Sequence, residues 1–118
     1  TKDGTCIRDF IDVRDLCIGH LKALKLVNKK KMFSVINLGS GNGSTVLNIV
    51  KLFNTITKNQ INYSFSQNRK HDIEISLANT NKAKKILNWK TNYSLKKSCI
   101  NQIKWLDKYY VNKFSQKI

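Results

Sequence analysis

The sequence predicts an α/β fold in which a small parallel sheet, formed by a β-α-β-α-β run, is followed by two helices. The chain has 118 residues and is 41% hydrophobic, which is enough for one modest core. Residues 1–65 alternate between short apolar stretches with the period of a strand and longer ones with the period of a helix. Parallel strands require such helical connections. No linker or internal repeat divides the chain, so we expect one unit.

The first predicted strand and helix come from residues 6–28. Residues 6–13 (CIRDFIDV) alternate between two faces, one with Ile7, Ile11 and Val13 and the other with Arg8, Phe10 and Asp12. Asp15 is a suitable N-cap for a helix that runs to about Asn28 and turns apolar residues toward the core: Leu16, Leu21, Leu24 and Val27. The lysines at 29–31 suit the end of that helix, because a cation there interacts favourably with the helix dipole.

The remaining strands are predicted within residues 32–65. Residues 32–38 (MFSVINL) are apolar on both faces, as expected for a buried parallel strand. A glycine turn at 39–43 follows, and Ser44 is a suitable N-cap for the next helix. That helix has the clearest pattern in the chain, with helical spacing of Val46, Ile49, Val50, Phe53 and Ile56. Residues 61–65 alternate again and predict the third strand.

The rest of the chain is predicted to form a polar loop and two helices. The loop covers residues 66–78, and a short helix at about 80–87 ends before Trp89. Ser94 then caps a last helix whose apolar stripe contains Leu95, Cys99, Ile103, Leu106 and Tyr110. Four large aromatic residues are interpreted as packing residues rather than as a platform for bases: Trp89, Trp105, Tyr109 and Tyr110.

The charge of the chain invites a nucleic-acid interpretation, which its distribution disfavours. There are 22 Lys and Arg against 7 Asp and Glu, for a formal net charge of +15. Only Arg8, Arg14 and Arg69 are arginines, whereas phosphate and base readers rely on arginine forks. The lysines are spread along the whole chain beside many Asn and Ile residues. A stand-alone basic module that binds nucleic acid or another polyanion stays open as the alternative.

The apolar runs, the cysteines and the first residue indicate where the protein is located and whether the sequence is part of a longer one. No apolar run is long enough to span a membrane, and no secretory leader is visible, so we expect a cytoplasmic protein without a membrane partner. Three scattered cysteines favour a reducing compartment and provide no zinc-site spacing. The first residue is Thr1 rather than Met, which suggests a piece of a longer protein.

Two arginines and one aspartate are the strongest candidates for ligand binding. Arg8 shares a predicted strand face with Phe10, and this pair suits a diphosphate that lies beside a flat base or sugar. Arg69 and Asp72 lie in the predicted loop, where recognition residues are common. From spacing alone, ion pairing on the surface is the favoured interpretation and diphosphate binding is the alternative.

Other motifs favour structural roles. The glycines at 39–43 lie between a strand and a helix, where backbone amides can bind phosphate. Their spacing is GxGxG rather than GxGxxG, and no acidic residue follows to hold a ribose, so a tight turn with positive φ is favoured. His20 is predicted to be partly buried and His71 to be exposed. We assign no catalytic and no metal-ligating residue from the sequence.

Four stretches occur in an order that resembles a known family. They are DGTCIRDFIDVRDLCIGHLKAL (3–24), INLGSGNGSTVLNIVKLF (36–53), NRKHD (68–72) and NKAKKILNWK (81–90). Together they resemble the carboxy-terminal part of the UDP-glucose 4-epimerases, which are extended short-chain dehydrogenases/reductases. The first block is the most specific, because DGTxxRDY separates these enzymes from most sugar-nucleotide relatives. The resemblance implies that residues 1–118 are one substrate-binding portion of a longer protein.

The resemblance implies roles for the candidate residues. Arg8 resembles the arginine that holds the UDP diphosphate, and Phe10 stands where the family has a tyrosine. Arg69 and Asp72 resemble the second diphosphate arginine and the acceptor for a ribose hydroxyl.

The sequence departs from the family pattern at three further positions. The histidine of Y-I-H-V is Asp12, the first arginine of R-R-x-G-D is Asn68, and the glycine of that motif is His71. The loss of this glycine bears on the backbone of the loop that carries the second candidate arginine.

The resemblance also implies the activity of the intact protein. Such an enzyme transfers a hydride from sugar C4 to NAD, lets the 4-keto sugar rotate and returns the hydride, interconverting UDP-glucose and UDP-galactose. The family's dinucleotide glycines, catalytic Ser or Thr and Tyr-x-x-x-Lys pair belong to an amino-terminal NAD-binding domain that this chain lacks. Tyr93 with Lys97 and Tyr109 with Lys113 share that spacing but follow the substrate motifs, so we interpret both as coincidental.

We therefore expect a UDP-sugar-binding segment that is inactive by itself. The intact enzyme is a candidate homodimer. A relative that acts on a different UDP-sugar is a further alternative.

Overall fold

The computed structural model describes residues 1–29, 33–67 and 69–115, and it confirms the α/β class. Within these ranges four helices and three short strands follow one another along the chain. In chain order the elements are β1 (Ile7–Asp9), α1 (Val13–Lys29), β2 (Gly43–Thr45), α2 (Val46–Thr57), β3 (Ile75–Ser76), α3 (Asn81–Leu87) and α4 (Leu95–Ser115). No helix in the described part of the chain combines the length and the apolar character needed to cross a bilayer.

The sheet is mixed rather than wholly parallel. Its strand order is β2-β1-β3, with β1 in the centre. β2 pairs antiparallel with β1, so that Ile7 lies opposite Thr45, and β3 pairs parallel with β1, so that Ile7 lies opposite Ile75. The predicted first strand at 6–13 is reduced to Ile7–Asp9, because the following helix already begins at Val13.

Two predicted strands are wrong within the described residues. Residues 33–38 form no strand, and Met32 lies outside the described residues. Phe33 is 93% exposed and Val35 is 67% exposed, whereas Ile36 and Leu38 pack against the core. The stretch predicted to be buried on both faces therefore packs only one face, without a partner strand beside it.

Residues 61–65 form no strand either. Their aromatic side chains at Tyr63 and Phe65 are exposed and meet edge to face, 5.8 Å apart. The third strand lies instead at Ile75–Ser76, inside the predicted polar loop, where Ile7 N–H donates to the carbonyl of Glu74 (2.8 Å). Tertiary pairing rather than local alternation selects this strand.

The helices agree with the sequence-based prediction better than the strands do, although two of the predicted N-caps are wrong. Asp12, not Asp15, caps α1, since its carboxylate accepts the Arg14 N–H (2.9 Å) and its carbonyl accepts the Leu16 N–H. Thr45 rather than Ser44 caps α2, because its hydroxyl accepts an N–H from the first turn. The predicted cap at Ser94 is confirmed, with its hydroxyl accepting the Lys97 N–H (3.3 Å).

The core lies where α1, α3 and the segment after α3 meet. Ala83, Leu87 and Trp89 are buried, and partly buried neighbours pack against them, including Ile11, Ile18, Leu26, Ile36 and Leu38. The Trp89 indole N–H donates to the Asp15 carbonyl (2.9 Å). The prediction that the large aromatic residues serve packing is confirmed for Trp89. It is wrong for Trp105, which is exposed and stacks on Tyr109 with ring centroids 5.3 Å apart.

Candidate functional site

Arg8 and Asp72 meet although they are far apart in the sequence. The Arg8 Nη2 donates to Asp72 Oδ1 at 3.0 Å, and the Nη1 donates to the carbonyls of Ile73 (2.7 Å) and Ile7 (2.9 Å). The two side chains are 32% and 39% exposed. The carbonyls hold one nitrogen of the guanidinium, while the other faces a carboxylate that another anion could replace.

Arg8 also lines a cavity of about 700 Å³. Its polar wall includes Asp9, His20, Ser34, Asn37 and Ser76, and its apolar wall includes Leu16, Ile36, Leu77 and Leu87. His20 is exposed, so the prediction that it is partly buried is wrong. A guanidinium at the edge of a half-apolar cavity of this size fits an anionic ligand with an organic body.

Arg69 and Asp72 lie together in a turn, in which the Asp72 N–H donates to the Arg69 carbonyl (3.1 Å). Both line a second cavity of about 530 Å³, together with Thr5, Cys6, His71 and Glu74. Asp72 thus lies between the two arginines: it is ion-paired with Arg8 and shares a cavity with Arg69.

Phe10 lies apart from the two arginines. It lines a third cavity of about 270 Å³, with Asp12, Ser40, Asn42 and Tyr93. The prediction that Arg8 and Phe10 project together assumes a strand through residue 13, and β1 ends at Asp9. The strict alternation of side chains ends with the strand.

Asp9 connects the glycine turn to the sheet. Its Oδ1 accepts the Ser40 N–H (2.8 Å) and the Ser40 hydroxyl, and its Oδ2 accepts the N–H groups of Gly41 (2.9 Å) and Ala78 (3.3 Å). Burial raises the pKa of Asp9, but these hydrogen bonds outweigh it and hold the pKa below the usual value. Sequence reasoning missed this residue, because its donors come from segments 31 and 69 residues away.

The glycines serve this arrangement. Gly41 has φ +74°, as predicted for a tight turn. A Cβ at Gly39 would lie 2.5 Å from both Ala78 Cβ and Asp9 Oδ2. The turn therefore needs glycine for its backbone conformation and for close packing.

Asp12 connects the start of α1 to α4. The Arg14 guanidinium donates to both carboxylate oxygens (2.9 Å each), and the Ser98 hydroxyl donates to Oδ2 (2.8 Å). The hydrogen bond from Arg14 is the main reason that the pKa of Asp12 lies well below its usual range, despite burial. Arg14 also stacks 3.6 Å over the ring of Tyr93. An aspartate directly before an apolar helix is an N-cap signal that could have identified this residue.

Metal and thiol chemistry find no support here. No group of three or more His, Cys, Asp or Glu side chains in the described part of the chain could hold a metal ion. The cysteines are free thiols, and burial raises the pKa of the Cys99 thiol, which disfavours its reactive thiolate form.

Comparison with known proteins identifies the family that this chain resembles. No protein-family model matches the chain. It is 41% identical over 109 residues to the UDP-glucose 4-epimerase GEPI48 of Cyamopsis tetragonoloba, and the match covers 92% of this chain and 31% of that protein. The crystal structure of the UDP-glucose 4-epimerase from Stenotrophomonas maltophila superposes with a TM-score of 0.87 at 30% identity, covering 95% of this chain and 33% of that one. This chain is homologous to the carboxy-terminal third of the UDP-glucose 4-epimerases.

A second epimerase structure agrees with the first. The enzyme from Bifidobacterium longum superposes with a TM-score of 0.80 at 31% identity, covering 92% of this chain and 32% of that one. The chain thus spans about a third of the length of the epimerases that it matches, which are isomerases. The structures from Stenotrophomonas maltophila and Bifidobacterium longum both contain NAD.

The glycine turn does not fit the NAD of these epimerases. A turn that binds a dinucleotide presents free backbone N–H groups to the phosphates. Here the N–H groups of Ser40 and Gly41 donate to the carboxylate of Asp9. A phosphate would have to displace this carboxylate, so the turn is unsuited to binding the phosphates of NAD.

At the glycine position of the epimerase R-R-x-G-D motif, this chain keeps the positive φ that favours glycine. His71 occupies it with φ +78°, a conformation that strains most L-residues. The first position of the motif, Asn68, lies outside the described residues. The loop between Arg69 and Asp72 therefore keeps a left-handed backbone conformation without the residue that adopts it most readily.

Restoring this glycine is expected to stabilise the chain. The His71→Gly variant should raise the free energy of unfolding by about 0.5–1 kcal/mol, because relief of left-handed strain exceeds the entropy that a glycine loses on folding. Urea denaturation measures the change. His71→Ala is the control, since it removes the imidazole and keeps the strain. If both variants were equally stable, the backbone would not be the cause.

Proposed function

We propose that this chain is the UDP-sugar-binding segment of a cytoplasmic, NAD-dependent UDP-glucose 4-epimerase that interconverts UDP-glucose and UDP-galactose. The observation that carries the proposal is the Arg8 guanidinium, which lies 3.0 Å from Asp72 at the edge of a cavity, in a chain homologous to these enzymes. The residues that perform the epimerisation lie outside this chain in the proposal, so the segment is inactive by itself.

The diphosphate is the part of the ligand that this geometry suits best. Three of the Arg8 hydrogen bonds go to main-chain carbonyls, those of Ile7, Ile73 and Glu74, which orient the guanidinium before a ligand arrives. A diphosphate oxygen would replace Asp72 at Nη2, and the released carboxylate could then accept a ribose hydroxyl. Each charge-assisted hydrogen bond contributes roughly 1.5–3 kcal/mol. Arg69 supplies the second positive charge from the adjacent cavity.

Holding the diphosphate explains what the segment contributes to the reaction. In the proposed enzyme, NAD accepts and returns a hydride at the sugar, which must rotate between these two events. A ligand held only by its sugar could escape during the rotation, whereas a ligand held by its UDP half stays bound. Arg8 and Arg69 perform this role, and no proton or hydride transfer involves them.

The related structures support the UDP half of the ligand more than the sugar half. The Bifidobacterium longum enzyme is in complex with NAD+ and UDP, and the Stenotrophomonas maltophila enzyme contains NAD and a formylated UDP-arabinopyranose. Their ligands share the UDP group. The choice of glucose and galactose within the proposal rests on the DGTCIRDF block at residues 3–10.

The apolar side chains that are exposed after α1 are consistent with the proposal that this chain is part of a larger protein. Phe33 and Val35 are exposed on an extended stretch whose other face packs on the core. The proposed NAD-binding domain would cover this stretch. Exposed apolar side chains of this kind lower solubility when nothing covers them.

Replacing Arg8 by alanine tests the proposal. Isothermal titration with UDP should show a dissociation constant at least about 10-fold higher for Arg8→Ala than for the unchanged chain, because a charge-assisted hydrogen bond is lost. The control is Lys51→Ala, which removes one positive charge from the exposed face of α2 and should bind UDP within about twofold. Equal affinities of Arg8→Ala and the unchanged chain would contradict the proposal.

The same titration distinguishes the proposed UDP site from the alternative, a basic module that binds nucleic acid or another polyanion. A basic module would bind a single-stranded oligonucleotide more tightly than UDP, with an affinity that falls steeply with salt. Arg8→Ala and Lys51→Ala would then weaken that binding equally, because each removes one charge. The proposed UDP site predicts that only Arg8→Ala matters.

A further inference from the structure

The short strand β3 is held at both ends by two consecutive residues of β1. At its start, Arg8 donates to the carboxylate of Asp72 and to the carbonyl of Ile73. Beyond its end, Asp9 accepts the N–H of Ala78. The ladder between the strands pairs only Ile75 and Ser76 with β1, so these side-chain contacts extend it in both directions.

The two contacts respond differently to the proposed ligand. A diphosphate that takes the Nη2 of Arg8 replaces Asp72 and loosens the start of β3. Asp9 takes no part in that exchange, since its carboxylate is occupied by the donors of Ser40, Gly41 and Ala78. Residues 76–78 form part of the wall of the cavity that Arg8 lines. When the ligand is bound, the Asp9 bond to Ala78 therefore stays in place and keeps this end of the wall against β1.

We propose that Asp9 is a positioning residue for the UDP diphosphate: it holds residues 76–78 and the turn at 39–41 around Arg8 while the ligand occupies the guanidinium. The inference rests on the proposed function. It adds a residue whose carboxylate is occupied by protein donors and which acts by holding the wall of the cavity in place.

The chemistry of Asp9 makes the carboxylate necessary. Oδ1 accepts both donors of Ser40, and Oδ2 accepts the N–H groups of Gly41 and Ala78. An asparagine can satisfy only one of these pairs, because its amide nitrogen is itself a donor. A longer glutamate has no room, since Gly39 is packed so closely that a Cβ there would lie 2.5 Å from Oδ2.

Two variants separate positioning from stability. In Asp9→Asn, the amide nitrogen opposes either the donors of Ser40 or the N–H groups of Gly41 and Ala78, and so loosens one side of this contact. In Ser40→Ala, one hydroxyl bond to Asp9 is lost and the three backbone N–H bonds remain. At a temperature where circular dichroism shows both variants folded, UDP affinity should fall at least about 10-fold in Asp9→Asn and less than about threefold in Ser40→Ala. Equal UDP affinity in Asp9→Asn and the unchanged chain would overturn the inference.

Amide hydrogen exchange of the unchanged chain gives a second measurement that does not depend on a variant. Adding UDP should leave the N–H groups of Gly41 and Ala78, which donate to Asp9, as protected as they are in the free chain. Faster exchange at Ala78 with UDP bound would overturn the inference.

The outcomes also distinguish this inference from the proposed function. If the unchanged chain fails to bind UDP, the proposed function fails. The side-chain Nε resonance of Arg8 then decides the inference: it should shift in Asp9→Asn and stay in place in Ser40→Ala. An unshifted resonance in Asp9→Asn would overturn the positioning role.

Discussion

Replacing Asp15 by alanine is expected to lower the free energy of unfolding by about 2–4 kcal/mol. The Asp15 side chain is fully buried, and its Oδ2 accepts the N–H groups of Asn92 and Tyr93 at 3.0 Å each. Alanine leaves these two backbone donors without an acceptor in the space between α1 and α4. Each unsatisfied buried donor costs about 1–3 kcal/mol.

Urea denaturation followed by circular dichroism measures the effect of Asp15→Ala. Asp107→Ala is the matched control, because it removes an exposed aspartate from α4 and should change stability by less than about 0.5 kcal/mol. Asp15→Asn keeps one acceptor oxygen and should fall between the two. A change below about 0.5 kcal/mol in Asp15→Ala would contradict the view that this carboxylate joins α1 to the chain before α4.

Replacing Asp12 by asparagine is expected to cost roughly 1.5–3 kcal/mol at pH 7, and to cost less as the pH falls below about 4. The Asp12 carboxylate is buried and receives two hydrogen bonds from Arg14 and one from Ser98. Because the Arg14 side chain is 41% exposed, solvent weakens the charge attraction and the hydrogen bonds provide most of the effect.

The sign of this pH dependence follows from the lowered pKa of Asp12. The unfolded chain, with an ordinary pKa near 4, binds the proton more readily than the folded chain does. The stabilisation by ionised Asp12 is therefore complete above that value and is lost as the pH falls through the lower pKa of the folded state.

Urea denaturation of the unchanged chain and Asp12→Asn between pH 7 and pH 2.5 checks this prediction. The difference between the two free energies of unfolding should narrow in acid. Other carboxylates with lowered pKa, such as Asp9, titrate in both proteins and cancel in the difference. A difference that stays constant over the whole range would contradict the role of the ionised carboxylate.

The helices could be predicted from the sequence because their signals are local. The apolar period of Val46 to Ile56 and the N-cap at Ser94 depend on residues within a few positions of each other. The strands β2 and β3 could not, because each has only two or three residues and is defined by a partner elsewhere in the chain, whereas β1 lies within the predicted strand at 6–13. The apolar stretch at 33–38 packs one face on the core without a partner strand, and the alternating residues at 61–65 stay exposed.

The residues of the candidate site also differ in how far the sequence alone could predict them. Resemblance to a family pattern identified Arg8 and Asp72, and the fold brings them within 3.0 Å. Asp9 was missed because its role depends on donors that only the fold brings near. Phe10 was placed with Arg8 by extrapolating a strand beyond its end. Residue identity and family pattern therefore indicate candidate side chains for a diphosphate, whereas the partners that orient them depend on the tertiary structure.

The most direct test of the account is a crystal structure of this chain with UDP. We predict a diphosphate oxygen within about 3 Å of an Arg8 guanidinium nitrogen, with Asp72 moved off Nη2 toward the ribose. The Asp9 bonds to the turn and to Ala78 should remain. A structure in which UDP binds elsewhere, while Arg8 and Asp72 keep their ion pair, would contradict the account.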